Sequence, residues 1–326
     1  MTLPYLLRLL CLCFASFFVL NAAAGLLVRA ASKSAVRFAG SKAPASAARF
    51  LLAVRLFPFA LAALFVLCFC IPSYFWLEPF AAFERVSVFC VVLGFLGAAA
   101  WALSMLRTAD SLLVSRRHNR LCRQAGREVC VSGNSSTLIV VEREAPLLAM
   151  SGVFRPRLLI SRSVLSSLSP QELDAALRHE HAHRTSLDNV KRLLLLLAPD
   201  FFPFIGPFRL LERQWSKFTE WAADDEAAAG NSSRALSLAA ALVRVARMGS
   251  SPRLPFLSTS LLACDRDLSA RVDRLLHAVP PSPAIDAQSG RLLRAACLFL
   301  VGCVAVLLLA LPTLSFVHEL LELLLH

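Results

Sequence analysis

Charge is what this chain has least of. Only 17% of its 326 residues are Asp, Glu, Lys or Arg, against 57% hydrophobic, and mean hydropathy is +0.63. Soluble domains carry about 25% charged residues, so an ordinary cytosolic globule is excluded. The same numbers exclude a disordered chain, which would be poor in apolar residues. Tyrosine is nearly absent, and the 2 present, Tyr5 and Tyr74, lie in the membrane-like half of the chain. A catalytic tyrosine from the more polar segment after residue 107 is therefore ruled out. Acid is also short, with 22 acidic residues against 34 basic ones and a net charge of +12.

The missing charge is missing in blocks. Residues 9–28, 56–76, 86–106 and 295–317 contain no Asp, Glu, Lys or Arg. Each run is long enough, as a helix, to cross a hydrocarbon core of about 30 Å. The expectation is a four-span membrane protein, with 1–106 holding three spans and 294–326 holding the fourth and a short tail. Between the first two spans lie Arg29, Lys33, Arg37, Lys42, Arg49 and Arg55 with no acid. After the third come Arg107, Arg116, Arg117, Arg120, Arg123 and Arg127. The positive-inside rule then places 29–55 and 107–293 in the cytoplasm, on the inner face of an integral membrane. The basic residues hug the bilayer, so direct nucleic-acid binding is not expected. Asn21–Gly25 resembles a signal-cleavage site, but its basic flank is only Arg8, and a retained span is the expectation. Seven of the 10 cysteines fall in spans. Cys11/Cys13 and Cys68/Cys70 are i, i+2 pairs that do not share a helix face, and they read as small buried apolar residues.

The soluble segment, 107–293, begins as a basic helix over 107–127. Short β-prone runs follow at Val129–Val131, Thr137–Val141, Leu147–Met150 and Leu158–Ser161, punctuated by Gly133-Asn134 and Gly152. A helix then starts at Ser169-Pro170, with Ser169 as N-cap, Pro170 at the first helical position and Glu172 in the first turn. It carries His179-Glu180-His181-Ala182-His183. His179 and His183, four apart, project from one face and can share a metal, with Glu180 beside them as a base for water. Zn2+ suits such a set. A third ligand is needed, and Glu220 supplies it from another helix-prone stretch, with Asp225 or Glu226 as substitutes. Asp224, one turn on, and Asp188, five beyond His183, can orient the imidazoles through their other nitrogens. His181 points away from the ligand face.

These residues together resemble the BlaR/MecR-type integral-membrane zinc metallopeptidases. The resemblance covers most of the chain. It rests on the lead-in Gly152–Ser161, the helix start Ser169–Leu173, His179-Glu180-x-x-His183 with Asp188, and Glu220-x-x-x-Asp224; Arg271-Val272 is similar to a pair found late in these and HtpX-type peptidases. It implies an α+β protein whose gluzincin-like zinc domain is inserted between spans three and four. It also implies an edge strand that binds an extended substrate, for which Leu147–Met150 is the candidate. Pro146 before it suits an edge strand; an ordinary core strand is the competing reading. Few residues follow 317, so the extracellular penicillin-binding sensor of the receptor members is not expected here.

The expected reaction is peptide hydrolysis, with Glu180 taking a proton from water and returning it to the leaving amine. The oxyanion needs another donor, for which Arg271, His181 and His277 are candidates. The expected partners are the lipid bilayer and a protein substrate, by resemblance a transcriptional repressor in a signalling pathway. Membrane-protein quality control, as in HtpX-type peptidases, and a catalytically idle zinc-binding scaffold are the alternatives. The apolar stretch 193–208, broken by Pro199, Pro203 and Pro207, reads either as a core helix with a packed loop or as a surface seated on the spans or bilayer.

Overall fold

The computed structural model describes residues 4–77, 86–130, 137–142, 145–154, 156–200, 207–249, 255–261, 267–277, 316–317 and 319. The expected fourth span, apart from 316–317, and the turn at Gly133-Asn134 lie outside them. Three helices long and apolar enough to cross a membrane open the chain: Tyr5–Gly40, Pro44–Leu77 and Val88–Ala125, of 36, 34 and 38 residues. The first is α1. The second is built of α2 (Pro44–Phe65), a π-helical turn (Val66–Cys70) and α3 (Ile71–Leu77); the third is α4. At about 1.5 Å per residue each exceeds the roughly 30 Å of a hydrocarbon core. The surplus is the basic flanks found in the sequence. The helix expected over 107–127 is not a separate element but the uninterrupted end of α4, since no Pro or Gly lies between residue 107 and Gly126.

Glycines let the spans approach closely. A Cβ on Gly97 would collide with the carbonyl of Phe14, and one on Gly94 would sit 2.9 Å from both the carbonyl oxygen and Sγ of Cys11. α1 and α4 therefore cross nearly backbone to backbone.

A five-stranded mixed sheet follows, in the order β1-β2-β4-β3-β5. Its strands are β1 (Gly126–Cys130), β2 (Thr137–Val141), β3 (Leu148–Ser151), β4 (Arg157–Ser161) and β5 (Ser258–Ser260). Only β2 and β4 run parallel. Leu138, Val140, Leu148, Met150, Leu158 and Ile160 face a core shared with α6 (Pro170–Thr185), α9 (Ser232–Arg247) and α10 (Leu268–Leu276). Ile139, Val141, Ala149 and Leu159 face the other way, toward Cys122 of α4. Burial on both faces explains why β2, β3 and β4 read as unbroken apolar runs rather than alternating ones.

The edge-strand expectation is corrected here. β3 is paired on both sides, by β4 and by β5, with Met150 opposite Thr259. The short polar run Ser258-Thr259-Ser260 carries no strand periodicity, and its pairing partner lies more than 100 residues earlier.

α8 (Pro207–Ala228) is seated on the α1–α2 hairpin. Val28, Ala35 and Ala39 of α1 and Ala47, Ala48 and Leu51 of α2 form one core with Phe208, Leu211, Trp215 and Phe218. Arg55 adds a 2.9 Å ion pair to Glu212 and lies 4.4 Å from the Phe208 ring centre. The stretch 193–208 is met in part. α7 (Asp188–Leu197) packs on the spans, where Ser104 Oγ donates to the Leu196 carbonyl at 2.7 Å and Asn21 Nδ2 donates to the Pro199 carbonyl at 3.3 Å. Residues 201–206 lie outside the described residues.

Candidate metal centre

α6 begins as its sequence requires. Ser169 Oγ accepts from the Glu172 N–H, and the Glu172 carboxylate accepts from the Ser169 N–H at 2.8 Å, a complete capping box with Pro170 in the first turn. The helix carries His179, Glu180 and His183 into the interior, at 0%, 0% and 2% exposure. It ends in a turn where Leu187 takes φ +55°, an unusual conformation for a branched side chain. That turn starts α7 and swings Asp188 back against α6.

His179, His183 and Glu220 each present a ligand atom within 4.8 Å of the others, a buried group that can hold a metal ion. The two Nε2 atoms are 3.2 Å apart. Glu220 Oε2 is 3.5 Å from His179 Nε2, and Oε1 is 3.6 Å from His183 Nε2. Neither Glu220 oxygen has a hydrogen-bond partner although both are buried. Arg271 Nη1, 3.3 Å from Oε2, meets that charge only in part, and the lone pairs left open beside the two Nε2 atoms fit a divalent metal. Two imidazoles and a carboxylate are the nitrogen and oxygen donors that zinc accepts.

Each outer nitrogen faces a carboxylate. His183 Nδ1 donates to Asp188 Oδ2 at 2.8 Å, and His179 Nδ1 lies 2.9 Å from Asp224 Oδ1. Both imidazoles thereby turn Nε2 toward the centre. Lys191 Nζ holds the other Asp188 oxygen at 2.8 Å. Arg271 donates Nε and Nη2 to the two oxygens of Asp224 at 2.8 and 2.7 Å, and Nη1 to the Leu261 carbonyl at 2.8 Å. Nη1 also stands 3.3 Å from Glu220 Oε2.

Electrostatics follow from burial and these pairings. Burial pushes the Glu180 carboxyl up to about 7, against the opposing pull of His183 and His179. Burial disfavours charge on His183, yet Glu220 and Asp188 outweigh it and raise the imidazole to about 10. His179 is raised too, burial being overcome by Asp224 and Glu220. Burial opposes ionisation of Glu220 and Asp224, but the imidazoles and Arg271 hold both below the usual carboxylate range.

Glu180 stands one residue from His179. Its Oε2 accepts from the Met150 N–H at 3.0 Å, and Oε1 is buried without a partner. Of the three candidate oxyanion donors, only Arg271 is in the centre. His181 is exposed, and His277 is exposed with Nδ1 2.8 Å from the Asp273 carbonyl. Asp225 is bound by Arg274 at 2.6 Å, and Glu226 lies 3.3 Å from Thr185 Oγ1, so neither replaces Glu220. Sequence reasoning missed Asn189. Its Nδ2 donates to the carbonyls of Met150 and Gly152 at 3.3 and 2.8 Å, tying β3 over the centre. Nothing in its local sequence marks it, because both partners are more than 35 residues away. No protein-family model matches the chain, and no curated protein matches it.

Proposed function

We propose that this chain is an integral-membrane zinc endopeptidase of the BlaR/MecR type. In this reading four spans hold a cytoplasmic catalytic domain, 107–293, that cuts a cytoplasmic or membrane-proximal protein. The observation that carries it is the convergence of His179, His183 and Glu220 in one buried pocket, with the unpartnered Glu180 Oε1 beside it. The docking of α7 and α8 on the spans supports a catalytic domain held against the membrane.

His179, His183 and Glu220 would hold the metal. When bound, zinc supplies Lewis acidity toward a carbonyl oxygen and acidifies nearby water. Glu180 Oε1 accepts a proton from water and later returns it to the amine that leaves, while the Met150 N–H fixes the other oxygen. Asp188 and Asp224 keep the imidazoles aimed. Arg271 is a positioning residue, because its guanidinium is spent on Asp224, the Leu261 carbonyl and Glu220. An extended substrate on that side of the sheet meets β5 rather than β3.

The test uses the full chain in detergent. Zinc is counted by mass spectrometry, and cleavage of casein and of co-expressed candidate repressors is followed beside Glu180→Gln. The expected result is one zinc per chain in both proteins and cleavage by the wild type alone. Zinc without cleavage above the Glu180→Gln control would replace this reading with that of an idle scaffold.

A further inference from the structure

The i, i+2 cysteines of α1 point to different neighbours, and each meets another thiol. Cys11 Sγ is 3.9 Å from Cys90 Sγ on α4, and Cys13 Sγ is 3.8 Å from Cys70 Sγ in the π-helical turn. Four of the 10 cysteines are thus sorted into two face-to-face pairs spanning three segments of the bundle.

Both pairs coincide with departures from regular helix packing. Gly94, one turn beyond Cys90, has no side chain where a Cβ would press on Cys11 Sγ and its carbonyl at 2.9 Å, so Cys11 nests against α4. Cys70 closes the π-helical turn Val66–Cys70, whose wide winding ends with the Ile71 N–H bonded to the Val66 carbonyl. Such turns are rare and recur at functional sites. Ordinary apolar packing of a small side chain requires neither device.

We propose that Cys11 with Cys90, and Cys13 with Cys70, are two oxidisable dithiols that form disulfides across the bundle. Within each pair one thiol is half-buried, Cys11 or Cys13, and its partner is fully buried. The accessible sulfur meets the oxidant and the buried one resolves it. The pairs lie one to two turns below the end of the bundle that Tyr74 closes by donating its hydroxyl to the Tyr5 carbonyl at 2.9 Å. Both accessible sulfurs lie in a span, so the fitting oxidant is a membrane-soluble two-electron acceptor of the quinone class. For each pair two S–H bonds break and one S–S bond forms. Two electrons and two protons pass to the quinone, which leaves as quinol. α1 runs unbroken from these thiols to Gly40, and its far end shares a core with α8. Each bond therefore fastens the helix that borders the segment bearing Glu220.

The test takes the full chain, reduced and in detergent, and adds decylubiquinone under anaerobic conditions. Free thiols are counted by alkylation and linked peptides are identified without reduction. The expected result is the loss of four alkylatable thiols, about 2 Da lost per bond, and two linked species, Cys11–Cys90 and Cys13–Cys70, both reversed by dithiothreitol. Cys90→Ser should abolish the first link and preserve the second, which also reports that the bundle still folds. Four thiols that stay alkylatable, or links that join other cysteines such as Cys68, would overturn the assignment.

Discussion

Arg271 grips Asp224 with a two-pronged contact, Nε to Oδ2 and Nη2 to Oδ1, and both side chains are at most 2% exposed. Asp224 in turn lies against His179, so one buried arginine on α10 sets the orientation of an imidazole in the group that can hold a metal. Arg271→Ala leaves Asp224 and Glu220 buried without that charge. Removing one partner of such a pair costs about 3–5 kcal/mol. Arg271→Lys keeps the charge but not the planar fork and should recover only part of the loss. Melting temperature and zinc content, measured on both variants, check this.

Zinc should stabilise the chain through the same residues. Saturation at about 100 times the dissociation constant adds about 2.7 kcal/mol. A chelator should therefore lower the melting temperature of the wild type. It should leave His183→Ala and Glu220→Ala unchanged, since each lacks one donor of the buried group. An equal chelator effect on all three proteins would place the metal elsewhere.

Arg55 and Glu212 join the α1–α2 hairpin to the helix that carries Glu220 two turns further on. Arg55→Glu sets two acids face to face and should cost about 2 kcal/mol. The exchange Arg55→Glu with Glu212→Arg should restore most of it. Thermal unfolding of the three variants decides, and recovery in the double variant is the outcome that assigns the effect to this pair.

The capping box gives a dependence on acid. Burial pushes the Glu172 carboxyl up, but its bonds to Ser169 and the charge of Arg244 prevail and hold it below its ordinary value of 4.5. A depressed carboxyl contributes stability above that value and loses it as pH falls through the lower folded-state one. Glu172→Gln keeps an acceptor for the Ser169 N–H and removes only the charge, so it should melt below the wild type at pH 7, by about 0.3–1 kcal/mol. The gap should close as pH falls below 4.5 and through the lower folded-state value. A gap that stays constant across that range would contradict the ionic contribution.

Gly97→Val should separate α1 from α4, because the new Cβ meets the Phe14 carbonyl rather than a flexible side chain. Overpacking of this kind costs about 1–3 kcal/mol. Melting in detergent measures it, and Gly40→Val, where a Cβ has nothing within 4 Å, serves as the control.

Local spacing alone was enough for much of this protein. Uncharged runs marked three long apolar helices, because a helix longer than a bilayer is thick needs only composition to be recognised. Ser169, Pro170 and Glu172 marked the start of α6, because a cap is satisfied within four residues. The turn of that helix put His179 and His183 on one face. The spacing of Glu220 and Asp224 singled out two of the five acids of α8, and the structure brings Glu220 into the buried group that can hold a metal.

Other features arise only when distant surfaces meet. Asn189 reaches Met150 because Leu187 adopts a left-handed turn, and β5 closes on β3 from more than 100 residues away. The same holds for Arg271 on Asp224, for the seating of α8 on the α1–α2 hairpin, and for the facing of Cys11 with Cys90. Periodicity tells which side of an element turns inward. What stands opposite is set by close packing among side chains far apart in the chain, and no short window of residues contains it.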